Sequence, residues 1–148
     1  MKISSTAFKD GERIPEEYTC DGNNINPPLA WEEIPAETKS MVLIVEDPDS
    51  PSGTWTHWTL WNIPPDSNKI DENNFAGGAI EGGTTFGSIG YGGPCPGTGT
   101  HRYFFKLYAL DGVVNLKRGA LPGELLRAID GRIIDKAELM GLYERKSR

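Results

Sequence analysis

Residues 47–61 read Asp-Pro-Asp-Ser-Pro-Ser-Gly-Thr-Trp-Thr-His-Trp-Thr-Leu-Trp. Asp47 and Asp49 stand two residues apart among prolines, and His57 follows between Trp55 and Trp58. A second stretch, residues 90–103, is rich in Gly and Pro and ends in His101-Arg102-Tyr103. The chain has 2 histidines, and one lies in each stretch. If Asp47, Asp49, His57 and His101 converge, three readings compete. Two carboxylates and two imidazoles are adequate ligands for Zn²⁺, Fe²⁺ or Mn²⁺, but no His-x-His or His-x-x-x-His spacing supports a metal. An anion pocket is the second reading. Gly90, Gly92, Gly93, Gly97 and Gly99 leave backbone N–H groups uncovered, which can form a nest for phosphate or carboxylate. His57 and His101 would donate to the anion when protonated, with Asp47 and Asp49 holding the rings in one tautomer. The third reading is architectural: the aspartates brace a tight turn and the histidines satisfy core hydrogen bonds. Nucleophilic catalysis has little support. There is no Gly-x-Ser-x-Gly elbow, and Cys95, which could pair with His101, sits between Pro94 and Pro96.

These residues need strands to carry them. Residues 41–45, Met-Val-Leu-Ile-Val, show no polar alternation and predict a strand buried on both faces. It would deliver Asp47 and Asp49 at its C-terminal end. Residues 55–63 alternate, with Trp55, His57, Thr59 and Trp61 on one face and Thr56, Trp58, Leu60 and Asn62 on the other. Residues 101–110 give a third strand, with His101, Tyr103, Phe105, Leu107 and Ala109 on one side. Shorter strands are expected at residues 3–8 and after Pro27-Pro28, the latter at a sheet edge. Residues 14–18 read as extended, because Pro15 biases Ile14 away from the α region. Residues 71–83 read as a polar surface excursion, and residues 81–90 as a loose strand or extended loop. The helical signal comes late, at residues 121–130: Pro122 stands near its start, Leu125, Leu126 and Ile129 form its stripe, and Gly131 stands where a helix ends. Residues 137–144 alternate as a closing strand. No βαβ rhythm runs through the chain, so the reading is mainly β, a β-sandwich with one or two short helices.

The 148 residues fit one domain with a proper core. The net charge of −6 argues against nonspecific nucleic-acid binding, which needs basic surface. The N-terminus lacks the apolar core of a signal peptide, and no run reaches membrane-spanning length. A cytoplasmic location follows as the expectation. Cys20 and Cys95 match no zinc spacing, and in a reducing compartment free thiols are the default.

The two chemical stretches closely resemble the phosphatidylethanolamine-binding protein family, the group that includes Raf kinase inhibitor protein, and in particular its bacterial and archaeal branch. The matching residues are Asp47-Pro48-Asp49-Ser50-Pro51, Thr56-His57-Trp58, and Gly90-Tyr91-Gly92-Gly93-Pro94-Cys95-Pro96-Gly97 with Gly99 and His101-Arg102-Tyr103. Tyr18-Thr19-Cys20-Asp21-Gly22 and Asn26-Pro27-Pro28-Leu29-Ala30-Trp31 look like the family's N-terminal signature. The resemblance covers nearly the whole chain. It implies a single domain over residues 1–148, a β-sandwich with Greek-key character, and a small pocket for phosphate-like anions or phosphorylated head groups. Carried over residue by residue, the pocket is Asp47, Asp49, His57, Gly93, Pro94, His101 and Tyr103. A cis peptide is implied at Ser50–Pro51.

The resemblance therefore implies a non-enzymatic binding or regulatory protein with no catalytic residue, metal or cofactor. Its partner would be a small phosphate-like anion or a phospholipid head group. The alternative is a serine-protease or kinase inhibitor acting through protein contact; a metal-dependent hydrolase stands further off. Prokaryotic relatives and exposed strand edges also imply a homodimer. Eukaryotic members carry a C-terminal helix beside the pocket. This chain stops after Tyr143-Glu144-Arg145-Lys146-Ser147-Arg148, so a more open pocket is expected. The loop 96–100 is also shorter and less basic than in many bacterial members.

Overall fold

A computed structural model describes residues 1–75 and 77–146. Residues 76, 147 and 148 lie outside it, so the expected bounds 1–148 and the excursion over 71–83 are followed only in part. Among the described residues, eight strands form two antiparallel sheets. The smaller has the order β1-β2-β5, from Lys2–Ser4, Leu29–Glu32 and Lys69–Ile70. The larger has the order β6-β4-β3-β7-β8, from Ile80–Glu81, Trp55–Ile63, Ser40–Asp47, His101–Leu110 and Ile133–Tyr143. Helix α1 spans Pro122–Ile129, and a 3-10 turn spans Glu16–Tyr18. No helix among the described residues is long and apolar enough to cross a membrane.

The unbroken apolar run does what its pattern demands. β3 is the middle strand of the large sheet, and its side chains feed two cores. Met41, Leu43 and Val45 join Leu29, Trp31 and Ile70 of the small sheet in one cluster. Val42 and Ile44 join Leu125 and Ile129 of α1 in another. The molecule is thus three layers: small sheet, large sheet, helix. α1 begins at Pro122, which needs no N–H partner there, and the Glu124 carboxylate accepts the Leu121 N–H at 2.9 Å. Gly131 follows its end at φ +77°. Leu125 and Ile129 face the sheet, while Leu126, expected in the same stripe, is exposed.

Four local expectations are corrected. Residues 16–18 form a 3-10 turn rather than an extended segment, because Pro15 provides its entry and the Tyr18 N–H donates to the Pro15 carbonyl at 3.1 Å. β2 is central in its sheet, not an edge. Pro27 and Pro28 precede the strand and so take no ladder position. β1 ends at Ser4, where the Ser5 hydroxyl turns the chain by accepting the Ala7 N–H at 3.0 Å and donating to the Pro28 carbonyl at 2.6 Å.

The fourth correction concerns β4. Its pairing with β3 shifts register twice. Val45 faces Trp58 but Glu46 faces Thr56, so His57 is an extra residue. This bulge takes His57 off the face of Thr59 and Trp61 and sets its ring against Tyr103, with centroids 5.2 Å apart. The second shift lies between Leu60 and Ile63, where Asn62 has φ +55°. It returns Ile63 to the layer of Leu60.

Leu43 is fully buried at the centre of the middle strand. Leu43→Ala is expected to cost about 2–5 kcal/mol in a urea titration. A loss below about 1 kcal/mol would contradict this placement of the core.

Candidate functional site

The site forms where β3, β4 and β7 end together at one margin of the large sheet. Asp47 is the last residue of β3 and is 3% exposed. A buried carboxylate needs hydrogen-bond donors, and both its oxygens have one. Oδ1 accepts the Asp49 N–H at 2.7 Å. Oδ2 accepts from Nδ1 of His101, the first residue of β7, at 2.6 Å. With Nδ1 engaged, Nε2 is the His101 nitrogen left for a ligand. Tyr103 follows on the same face of β7, and its phenol pKa is pushed up by burial and by the Asp47 carboxylate.

His57 is held differently. Its Nδ1 donates to the Gly92 carbonyl at 2.7 Å, and the Gly92 N–H donates to the His57 carbonyl at 2.9 Å. Among the described residues, no carboxylate is hydrogen-bonded to this ring. Burial lowers its pKa below the usual histidine value. The ring is therefore held neutral, with Nδ1 carrying the proton and Nε2 a lone pair.

Asp49 turns away from both imidazoles and towards Arg102. Its carboxylate accepts from Arg102 three times: from the backbone N–H at 2.9 Å, Nε at 2.9 Å and Nη2 at 2.8 Å. Arg102 holds the carboxyl down at about 2, first through these side-chain bonds. Asp47, Asp49, Arg102 and His101 thus close a ring of contacts. The acid expected to orient a second imidazole instead latches the 48–54 turn onto β7.

That turn is built without a cis peptide. The Gly53 N–H donates to the Ser50 carbonyl at 3.1 Å, with Gly53 at φ +105°. Pro51 is the second residue of this turn, where a trans proline supplies the φ that the turn needs. The expected cis bond at Ser50–Pro51 is therefore corrected to trans.

These elements enclose a cavity of about 160 Å³. Asp47, His57, His101 and Tyr103 line it. Gly93 and Pro94 are not among the lining residues and act behind the wall. Gly93 packs where any Cβ would come within 2.2 Å of the Tyr18 carbonyl oxygen. Pro94 accepts the Cys20 N–H at 3.1 Å. Ser50, Pro51, Trp55, Phe86, Cys95, Pro96 and Gly97 complete the lining. Of these, Phe86 carries no signal in sequence. It lies in an irregular loop yet meets both Trp55 and His57 edge-on, at 5.5 and 5.1 Å between centroids. Trp55 has its Nε1–H buried without a hydrogen-bond partner among the described residues. Glycine at 92 lets Phe86 lie this close, since a Cβ there would stand 2.6 Å from the Phe86 ring.

The cysteines are joined as Cys20–Cys95, with Cα atoms 5.4 Å apart. This corrects the expectation of free thiols. The two cysteines are 75 positions apart in the chain, and the fold returns their sulfurs to one place. In this state Cys95 has no thiol to act as a nucleophile. No group of three or more His, Cys, Asp or Glu side chains is placed to hold a metal among the described residues.

The model of the family described as phosphatidylethanolamine-binding protein matches residues 4–144. A UPF0098 protein of Methanothermobacter thermautotrophicus is 49% identical over 150 residues, covering 98% of this chain and 99% of its own. A UPF0098 protein of Pyrococcus horikoshii is 50% identical over 154 residues, covering 99% of this chain and 77% of its own. The crystal structure of a phosphatidylethanolamine-binding protein homologue from Chlamydia trachomatis superposes with a TM-score of 0.93 at 45% identity, covering 98% and 97% of the two chains. Escherichia coli YbcL, described as a new member of the mammalian family, gives 0.92 at 30% identity and covers 98% of each chain. This chain belongs to the phosphatidylethanolamine-binding protein family.

Proposed function

We propose that the protein binds a small phosphate-like anion or the phosphorylated head group of a larger molecule, and performs no reaction on it. The observation that carries this reading is the buried 2.6 Å contact between Asp47 and His101 at the wall of a small cavity. When His101 carries a second proton, its ring, bonded through Nδ1 to Asp47, has one N–H left to give, at Nε2. Neutral His57 has one lone pair left to accept with, also at Nε2. The Trp55 Nε1–H is buried and unpartnered. A hydrogen phosphate group matches this set: its anionic oxygens accept from His101 and Trp55, and its P–OH donates to His57.

The walls limit what else enters. Pro51, Trp55, Phe86, Pro96 and Tyr103 are apolar or aromatic. The volume is well below the roughly 300–1,000 Å³ of pockets that enclose drug-sized ligands. A head group fits, and the rest of a larger ligand stays outside. Nothing in this arrangement activates a nucleophile. Both imidazoles have their Nδ1 atoms committed to fixed partners, which suits binding.

Inorganic phosphate and O-phosphoethanolamine, titrated while the side-chain signals of His57 and His101 are followed by NMR, should shift both at millimolar ligand. His101→Ala should weaken binding by about tenfold or more, the loss of one charge-assisted hydrogen bond. Silence of both rings at millimolar ligand would sink the reading.

His57 also gives a pH signature. Its folded pKa lies below its ordinary value, so the unfolded chain takes up the proton first as pH falls. Its contribution to stability is present above about pH 6.5 and is lost below it. Asp49, held at about 2, acts in a lower window, below its ordinary value of 3.8. Urea midpoints should therefore fall between pH 7.5 and 5, and the fall should shrink in His57→Gln. An unchanged slope in that variant would remove His57 as its source.

A further inference from the structure

We infer that Cys20–Cys95 is a reversible thiol–disulfide site set in the pocket wall, with a dithiol reductant as its reaction partner. The binding consequence drawn below rests on the function proposed above; the redox site itself does not.

The wall has two parts with different anchors. Up to Pro94 it is fixed by hydrogen bonds that do not involve sulfur. Tyr91 donates its hydroxyl to the Tyr18 carbonyl at 2.7 Å. The Gly92 and His57 backbones and the His57 ring are tied as described. The Gly93 N–H donates to Asn24 Oδ1 at 2.8 Å, and the Pro94 carbonyl accepts from Cys20 at 3.1 Å. Beyond Pro94 the anchoring changes. Among the described residues, no backbone-to-backbone hydrogen bond holds the segment 95–99. Pro96 has no N–H, and Gly97 and Gly99 add backbone freedom. The Tyr103 phenol meets the Cys95 backbone. The next tie is the Thr100 hydroxyl to Glu144 at 3.2 Å, just before β7. The disulfide is thus the one covalent tether of a stretch whose residues 95, 96 and 97 line the cavity.

Access favours exchange at one sulfur. Cys95 is exposed and Cys20 is half-buried. Exposed disulfides are the labile ones, and exchange needs a thiolate to reach a sulfur. The thiolate of the dithiol attacks the Cys95 sulfur and forms a mixed disulfide. The S–S bond to Cys20 breaks, and Cys20 leaves as a thiolate that takes a proton. The second thiol of the reductant then attacks the mixed disulfide and releases Cys95 as a thiol. Two electrons and two protons pass to the protein, and the dithiol becomes a disulfide. The residues up to Pro94 keep their hydrogen bonds, so His57 stays in place. Segment 95–99 loses its tether, and one wall of the pocket loosens.

The test uses the whole chain, purified without reductant, then reduced with dithiothreitol. Mass spectrometry after alkylation should show no free thiol before reduction and both thiols after it. Far-UV circular dichroism should be unchanged. The ¹⁵N order parameters of Gly97 and Gly99 should fall from about 0.85 to below about 0.6 on reduction. Affinity for O-phosphoethanolamine should weaken by about tenfold, because binding must now order the wall, and re-oxidation should restore it. The double variant Cys20→Ser, Cys95→Ser should behave as the reduced protein whatever the reductant. Free thiols that persist under oxidised glutathione would overturn the inference. So would order parameters that do not respond, or strands that unfold on reduction. If the oxidised protein fails to bind phosphate or O-phosphoethanolamine at all, the proposed function falls alone, and the order parameters of Gly97 and Gly99 still decide the redox site.

Discussion

The site depends on one buried carboxylate. Asp47 lies at the end of a strand whose other residues are nearly all apolar and inaccessible. An ionised group in that position is tolerated only when its oxygens are fully hydrogen-bonded. Its partners come from two places: the N–H of Asp49 in the turn that follows, and the ring of His101 on the next strand. The requirement therefore ties the turn after β3 to the start of β7. Arg102 completes the tie by gripping Asp49 beside it. Exposed ion pairs contribute little by themselves, but this one is bidentate and closes a ring around a buried group. Its value is geometric: it keeps one imidazole nitrogen in a fixed place.

The large sheet makes that convergence possible. β3 has to bury both faces, so it becomes the middle strand, covered by the small sheet on one side and α1 on the other. Its neighbours β4 and β7 then bring His57 and His101 to the same margin. The bulge at His57 is the decisive irregularity. Without the extra residue, the ring would share the face of Thr59 and Trp61, which pack towards the helix layer. With it, the ring stands against Tyr103 and Phe86 and becomes part of the cavity. A bulge beside a binding site, re-aiming one side chain, is a recurrent use of the motif.

The pocket wall shows how little regular structure is needed to enclose a cavity. Residues 90–99 form no strand or helix. They are held by single hydrogen bonds, by the close approach that glycine at 93 permits, and by the disulfide. The histidines differ for the same reason. One is hydrogen-bonded to a carboxylate from a strand end; the other is tied to a carbonyl of this loop, where burial lowers its pKa.

Much of this was determined by sequence alone. The apolar run over 41–45 required a two-faced strand, residues 101–110 alternated as they pack, and Pro122 with Gly131 bracketed the helix. The ordered motifs pointed to the family, and with it to Asp47, His57, His101 and Tyr103 around one cavity. Those signals are local, or are carried by residue type and order, so a linear reading reaches them. Tertiary structure decided the rest. Asp49 belongs to Arg102, Ser50–Pro51 is trans, Cys20 bonds Cys95, His57 sits on a bulge, and Phe86 lines the pocket. Each depends on strand register or on loops meeting across tens of residues. Local propensity and two-residue periodicity carry no record of such pairings, because the energy that selects them exists only when the distant segments are already in contact.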